Sequence, residues 1–242
     1  MLSTPIKTPI IFFPGTLCDE RIWFPLWKTL NIEERAYVPL QWADSLESML
    51  ALSADRLNNG KQDLHLVGFS MGGYIAALSA LAHAERVKSI TFIGYNPYGL
   101  SQEEVSSRQA IIKNIASGKL NNKNFAKTNE QRLAQYFTNT ELQQSTFTQP
   151  IIDMGNDLGV ATLASHIKAC TPREDLSSKL SDLAVAQHFI VGEHDKIANL
   201  GSIQKYVSAT PQAKMTKLLN TGHITPLTKT KEIASLLQQI DD

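Results

Sequence analysis

Ser70, Asp195 and His223 fall in that order along a chain of 242 residues, each at or near a glycine-containing turn and each just after an apolar run. Side chains of these three types do acyl-transfer chemistry together. A histidine takes the serine proton, the serine oxygen attacks a carbonyl, and the carboxylate orients and stabilises the imidazolium. Ser70 is the centre of Gly68-Phe69-Ser70-Met71-Gly72, a G-x-S-x-G pentapeptide set between the apolar run 64–67 and a small-residue helical pattern that begins at Met71. That context predicts a strained strand-to-helix elbow, in which the hydroxyl projects clear of a sheet and the following N–H points at the same space.

The base and its orienting acid have matching contexts. Gly192-Glu193-His194-Asp195 follows the run 186–191, so Asp195 is expected just past a strand's carboxyl end, with Glu193 as the rival carboxylate. Asn220-Thr221-Gly222-His223 follows the run 215–219 and places His223 on the corresponding loop. Acyl chemistry also needs N–H donors for the developing oxyanion. Met71 offers one, and the loop Phe13-Pro14-Gly15-Thr16-Leu17 offers the other from Thr16, with Leu17 the second choice. Of the remaining histidines, His65 and His188 lie in strand patterns, His83 near a helix end, His166 in a helix-rich stretch and His194 beside the acid. These read as hydrogen-bonded structural groups without metal-ligand spacing, so neither a metal nor a cofactor is expected. Cys18 and Cys170 form no C-x-x-C or Cys/His cluster and are expected as free, buried thiols.

Positioning these side chains requires a sheet. Strand-like runs recur at 10–13, 36–40, 64–67, 89–93, 186–191 and 215–219, and helical spacing at 20–30, 45–57, 71–84, 200–207 and 231–240. Such alternation implies an α/β fold with a mainly parallel sheet of about six strands, covered on both faces. The alternation stops between about residues 97 and 179, where helical patterns follow one another: one capped by Ser101 and ending near Gly118, then 129–137, 141–154 with a break at Pro150, and 159–169. The chain is therefore expected as a core of residues 1–96 and 180–242, with residues 97–179 inserted as a helical lid.

Composition narrows the partners. Lysine plus arginine (23) balance aspartate plus glutamate (23), so no net field concentrates nucleic acid or an anionic membrane. No stretch reaches the length of a membrane span, and the first residues lack a charged segment followed by a long apolar run. A cytoplasmic monomer or homodimer acting on a small-molecule acyl substrate is the expectation.

The motifs together resemble the α/β-hydrolase family. Gly68-Phe69-Ser70-Met71-Gly72-Gly73 is similar to the elbow of its small carboxylesterases and enol-lactonases, and Gly192 to Asp195 and Gly222-His223 resemble its acid and histidine loops. Pro14-Gly15-Thr16-Leu17, with Trp23 beyond it, looks like the family's oxyanion loop, although proline replaces the usual histidine; Asn199 likewise stands where many relatives have proline. The resemblance implies a serine hydrolase cleaving a small ester, lactone or thioester, with Leu17 and Arg173 as candidate substrate-binding residues. Two alternatives stay open: a C–C bond hydrolase or menaquinone-synthesis-type lyase whose substrate carboxylate meets Arg108, Arg132 or Arg173, and a non-catalytic small-ligand receptor that keeps the fold.

Overall fold

The computed structural model describes residues 4–60 and 62–241. Its centre is one six-stranded, wholly parallel sheet made of β1 (Ile10–Phe13), β2 (Arg35–Tyr37), β3 (Leu64–Phe69), β4 (Val87–Ile93), β5 (Ala186–Gly192) and β6 (Ala213–Leu218), in the order β2-β1-β3-β4-β5-β6. The period of two along each strand sorts the apolar side chains into two cores. Ile11, Phe13, Leu66, Phe92, Phe189 and Val191 face one side, beneath α2 (Leu46–Leu57), α3 (Met71–Ala82) and α9 (Leu200–Ala209). Ile10, Phe12, Val67, Ile93 and Ile190 face the other, beneath α1 (Phe24–Thr29) and α11 (Thr230–Leu237). Each large side chain removed from water in this way contributes about 1.5–3 kcal/mol before the entropy of ordering it is subtracted.

Between β4 and β5 lie α4 (Gln102–Ala116), α5 (Asn122–Tyr136), α6 (Asn139–Leu142), α7 (Ser145–Ala169) and α8 (Ser177–Asp182); α10 (Thr225–Thr228) follows the sheet. The strand order reverses direction at β1 and β3, and a crevice opens at their carboxyl ends for this reason: the connections leave toward opposite faces there. Among the described residues no helix is long and apolar enough to cross a membrane.

Several local expectations are corrected by chain chemistry. The strand expected at 36–40 stops at Tyr37, because Pro39 has no N–H for a ladder and the backbone turns into the short 3-10 segment Leu40–Trp42. The helix expected at 20–30 is two pieces: a 3-10 turn Glu20–Ile22, whose N–H of Arg21 is capped by Asp19, and α1, with Pro25 in its first turn. The polar run after Gly118 is a start and not an end. Asn121 and Asn124 cap each other's backbone N–H groups and open α5 well before residue 129. Pro150 does not break α7; the break falls at Gly159, whose φ of 69° and ψ of −174° kink the helix.

Candidate active site

The residue pattern around Ser70 has a steric origin. Ser70 itself has φ 52° and ψ −114°, a backbone state that a residue with a Cβ occupies only under tertiary constraint. The glycines on either side permit the approach that imposes it. A Cβ on Gly68 would lie 2.6 Å from the Gly72 carbonyl oxygen, and one on Gly72 would lie 2.2 Å from the Phe13 carbonyl oxygen. The start of α3 is thereby pressed against the end of β1, which brings Met71 and Thr16 to the same recess beside Ser70. The Gly73 N–H is taken by the Ser70 carbonyl at 3.0 Å, whereas Met71 opens α3, where an N–H has no intrahelical acceptor.

The three predicted side chains meet. His223 Nδ1 lies 2.8 Å from Asp195 Oδ2, and His223 Nε2 lies 3.0 Å from Ser70 Oγ. Asp195 Oδ1 is already held by the Ile197 and Ala198 N–H groups at 2.8 and 2.9 Å. Burial raises the Asp195 pKa, but the adjacent His223, their hydrogen bond and these two N–H donors outweigh it, and the carboxyl sits below its ordinary value. An ionised Asp195 only accepts, so His223 Nδ1 carries a proton, and in the neutral ring Nε2 is then the acceptor that faces the serine hydroxyl. Both partners of this pair are almost fully excluded from solvent, with side-chain exposures of 3% for His223 and 0% for Asp195. Glu193, the rival carboxylate, turns outward instead and accepts from Lys217 Nζ at 3.2 Å and the Asn220 N–H at 3.1 Å.

Two supports come from the helical segment: sequence reasoning missed Glu141, and it read His166 as a hydrogen-bonded structural group without its partners. The His223 loop is held by Glu141, whose carboxylate accepts from the Thr221 hydroxyl, the Gly222 N–H at 3.0 Å and the Thr138 N–H at 2.7 Å. The signal was present as Thr138-x-x-Glu141, a capping box, but nothing in the sequence says that the free face of that carboxylate meets a loop eighty residues on. Burial pushes the Glu141 carboxyl up, while the bonds from Thr221, Thr138 and Gly222 pull it down further, leaving it below its ordinary value. Tyr136 adds its carbonyl, which accepts the His223 N–H at 2.6 Å, and its ring lies 6.0 Å from the imidazole. Glu141→Ala is expected to strand buried N–H groups and lower stability by about 2–3 kcal/mol. Turnover should fall through kcat with little change in KM, and Glu141→Gln should recover part of it; urea unfolding and steady-state kinetics provide the check.

The second support is His166 of α7. The Leu17 N–H donates to its Nδ1 at 3.2 Å, which assigns the ring proton to Nε2, and Nε2 donates to the Leu40 carbonyl at 3.1 Å. Leu17 has φ 54°, so this bond secures a loop in an otherwise uncommon state. It also commits the Leu17 N–H to His166, which removes that candidate as a donor toward Ser70.

Burial depresses three histidines: His166 and His188 to about 4, and His65 to about 3. His65 and His188 sit in β3 and β5 and bond to Thr91 and Thr216 across the sheet. Below an ordinary value of 6.5, the unfolded chain binds protons that these folded rings refuse. Their contribution is whole above pH 6.5 and is lost as pH falls toward 4. Urea unfolding between pH 6.5 and 5 should show stability falling by up to about 4 kcal/mol per pH unit, with proton uptake on unfolding. A flat profile would contradict the neutral, buried assignment.

Two hollows meet at Ser70. The larger, of about 190 Å3, is lined by Ser70, His223, Leu17 and the apolar side chains Ile111, Ile151, Leu163 and Ile167, with Arg108, Asn129, Arg132, Gln135 and Tyr136 on its polar side. The smaller, of about 40 Å3, contains Thr16, Ser70, Met71, Asn96, Arg108 and Arg173. Both are tight, which favours a short-chain occupant. Among the described residues no His/Cys/Asp/Glu cluster has metal-binding geometry. Cys18 and Cys170 are free and buried, and burial, followed by the charge of Asp19, pushes the Cys18 thiol up to about 12. Leu17 lines the larger hollow and Arg173 the smaller.

A parallel sheet that reverses order at β1/β3, with a serine elbow after β3, an aspartate after β5 and a histidine after β6, defines an α/β protein of the hydrolase architecture. The chain belongs to the alpha/beta-hydrolase fold family, whose model matches residues 42–230. Among solved structures it is similar to an esterase from Thermogutta terrifontis (17% identity, TM-score 0.79, covering 99% of this chain and 93% of that one). It is also similar to an enol-lactonase from Burkholderia xenovorans LB400 (18%, TM-score 0.75, 97% and 91%) and a bromoperoxidase from Bacillus anthracis (15%, TM-score 0.79, 99% and 94%). No protein of curated function matches its sequence.

Proposed function

We propose that this protein is a serine hydrolase that cleaves a small carboxylic ester, lactone or thioester through an acyl-enzyme on Ser70. The observation that carries this reading is the unbroken hydrogen-bond chain from Asp195 through His223 to Ser70 at the open end of the sheet. His223 Nε2 accepts the Ser70 proton as Oγ attacks the carbonyl carbon, and Asp195 stabilises the imidazolium that forms. The Met71 and Thr16 N–H groups take the negative charge of the tetrahedral intermediate. His223 then gives its proton to the departing alkoxide or thiolate, which leaves as the alcohol or thiol. Water, deprotonated by the same nitrogen, attacks the acyl carbon, and Ser70 leaves with the proton restored. The helices between β4 and β5 act as a lid over this chemistry, with Leu17 at its floor. The test is turnover of short-chain esters by wild type and by Ser70→Ala; equal residual rates in the two would overturn the reading.

A further inference from the structure

Arg108 and Arg173 line the smaller hollow with Ser70, and neither has a carboxylate within 4 Å among the described residues. Among the described residues Arg108 Nη1 hydrogen-bonds only to the Cys170 carbonyl, at 3.1 Å. Arg173 Nη2 reaches the Asn96 and Tyr98 carbonyls at 3.5 and 3.3 Å, its guanidinium lies over the Tyr74 and Tyr95 rings, and its Nε is buried without any partner. Burial and then the neighbouring Arg173 charge both depress the Arg108 pKa, so the two cations are close enough to repel. A pair of like charges held in a recess, with a buried donor left over, is costly unless an anion completes it.

The two hollows divide the substrate. His223 must protonate the departing oxygen or sulfur, and it lines the larger, mainly apolar hollow but not the smaller one. The leaving group therefore belongs among Ile111, Ile151 and Leu163, and the acyl group belongs with Met71 and Arg173; Arg108 lines both hollows, and Arg132, in the larger, is engaged by the Tyr136 hydroxyl and ring. We propose that Arg108 and Arg173 form a carboxylate subsite for the acyl group, so that the substrate is a half-ester or half-thioester of a short dicarboxylic acid with an apolar alcohol or thiol. The inference rests on the serine-hydrolase reading above.

Three esters separate the possibilities: monobutyl glutarate, with the charge on the acyl side; butyl pentanoate, with none; and 4-(pentanoyloxy)butanoate, with the charge on the alcohol side. Wild type should favour the first over the second by about 10- to 100-fold in kcat/KM, the range of a charge-assisted bidentate contact. The third, whose carboxylate enters the hollow lined by Arg108 and the already engaged Arg132, should gain less than the first. Arg173→Met and Arg108→Met should each cut the preference by about tenfold or more, and Arg173→Lys should retain part of it. Equal rates on the first two esters, or preference for the third, would overturn the subsite. Free glutarate supplies a readout independent of turnover: it should raise the melting temperature of Ser70→Ala protein, and this rise should vanish when Arg173→Met is added. Glutarate stabilisation without hydrolysis of any ester would leave the subsite standing and remove the hydrolase reading. Ester hydrolysis without acyl-charge preference would do the reverse.

Discussion

Ser70→Ala is expected to lose about 10^4- to 10^6-fold in kcat on a short-chain ester, with KM changed by no more than a few-fold. The size follows from what remains. Without Oγ, the base 3.0 Å away has no nucleophile to deprotonate, and only the oxyanion donors and substrate binding still favour reaction over free water. The expected loss belongs to chemistry and not to folding. Ser70 already carries a Cβ at φ 52°, so alanine introduces no new backbone strain. An unchanged melting temperature with kcat lost is the predicted pair of results, and an undiminished kcat would remove Ser70 from the mechanism.

Gly192→Ala should cost both stability and activity. Gly192 ends β5, and a Cβ there would lie 2.0 Å from the Gly222 carbonyl oxygen and 2.7 Å from that of Thr221. Both obstacles are backbone atoms, so no rotamer change relieves them. Nor can the Gly222 loop retreat freely, because its other side is pressed against the Tyr136 carbonyl, where a Cβ on Gly222 would meet oxygen at 2.3 Å. The clash must displace β5 or the loop that carries His223. A loss of about 4 kcal/mol or more is expected, which for a domain of this size lowers the melting temperature by about 8–16 °C. In the protein that still folds, kcat should fall about 100-fold, since a displacement near 1 Å at the reacting groups has that effect. A melting temperature within two degrees of wild type, together with normal kcat, would show that the two loops have more room than their contacts indicate.

The fold and the central triplet were legible because each depends on local pattern. Alternating apolar runs specify the strands, and Ser70, Asp195 and His223 each follow one of those runs closely enough that a parallel sheet delivers them to a single edge. The Glu193 alternative was not resolvable in this way. Two carboxylates two residues apart on one turn differ only in direction, and direction is set by the Ile197 and Ala198 N–H groups that hold Asp195 inward. Helix boundaries between β4 and β5 were hardest to read, since Asn121 and Asn124 are equally suited to a loop and to a cap. Arg108, Arg132 and Arg173 all read as carboxylate candidates, but the sequence does not show which of them share a recess: Arg108 lies on α4 and Arg173 beyond α7, and only the packing of that segment over the sheet brings these two together.

Glu141 has a consequence for anyone recombining this protein with its relatives. Helices inserted between two strands are an attractive unit for exchange, because their ends are close together and the sheet folds around its own core. Here the unit is not self-contained. Glu141, itself bonded by the Thr138 N–H, and the Tyr136 carbonyl hold the loop that carries His223, through bonds from Gly222, Thr221 and the His223 backbone N–H. A chimera joined at the strand ends would gain a foreign roof and lose its own histidine's anchor. A crossover after Leu142, inside the inserted segment, keeps both Tyr136 and Glu141 with the loop that they hold.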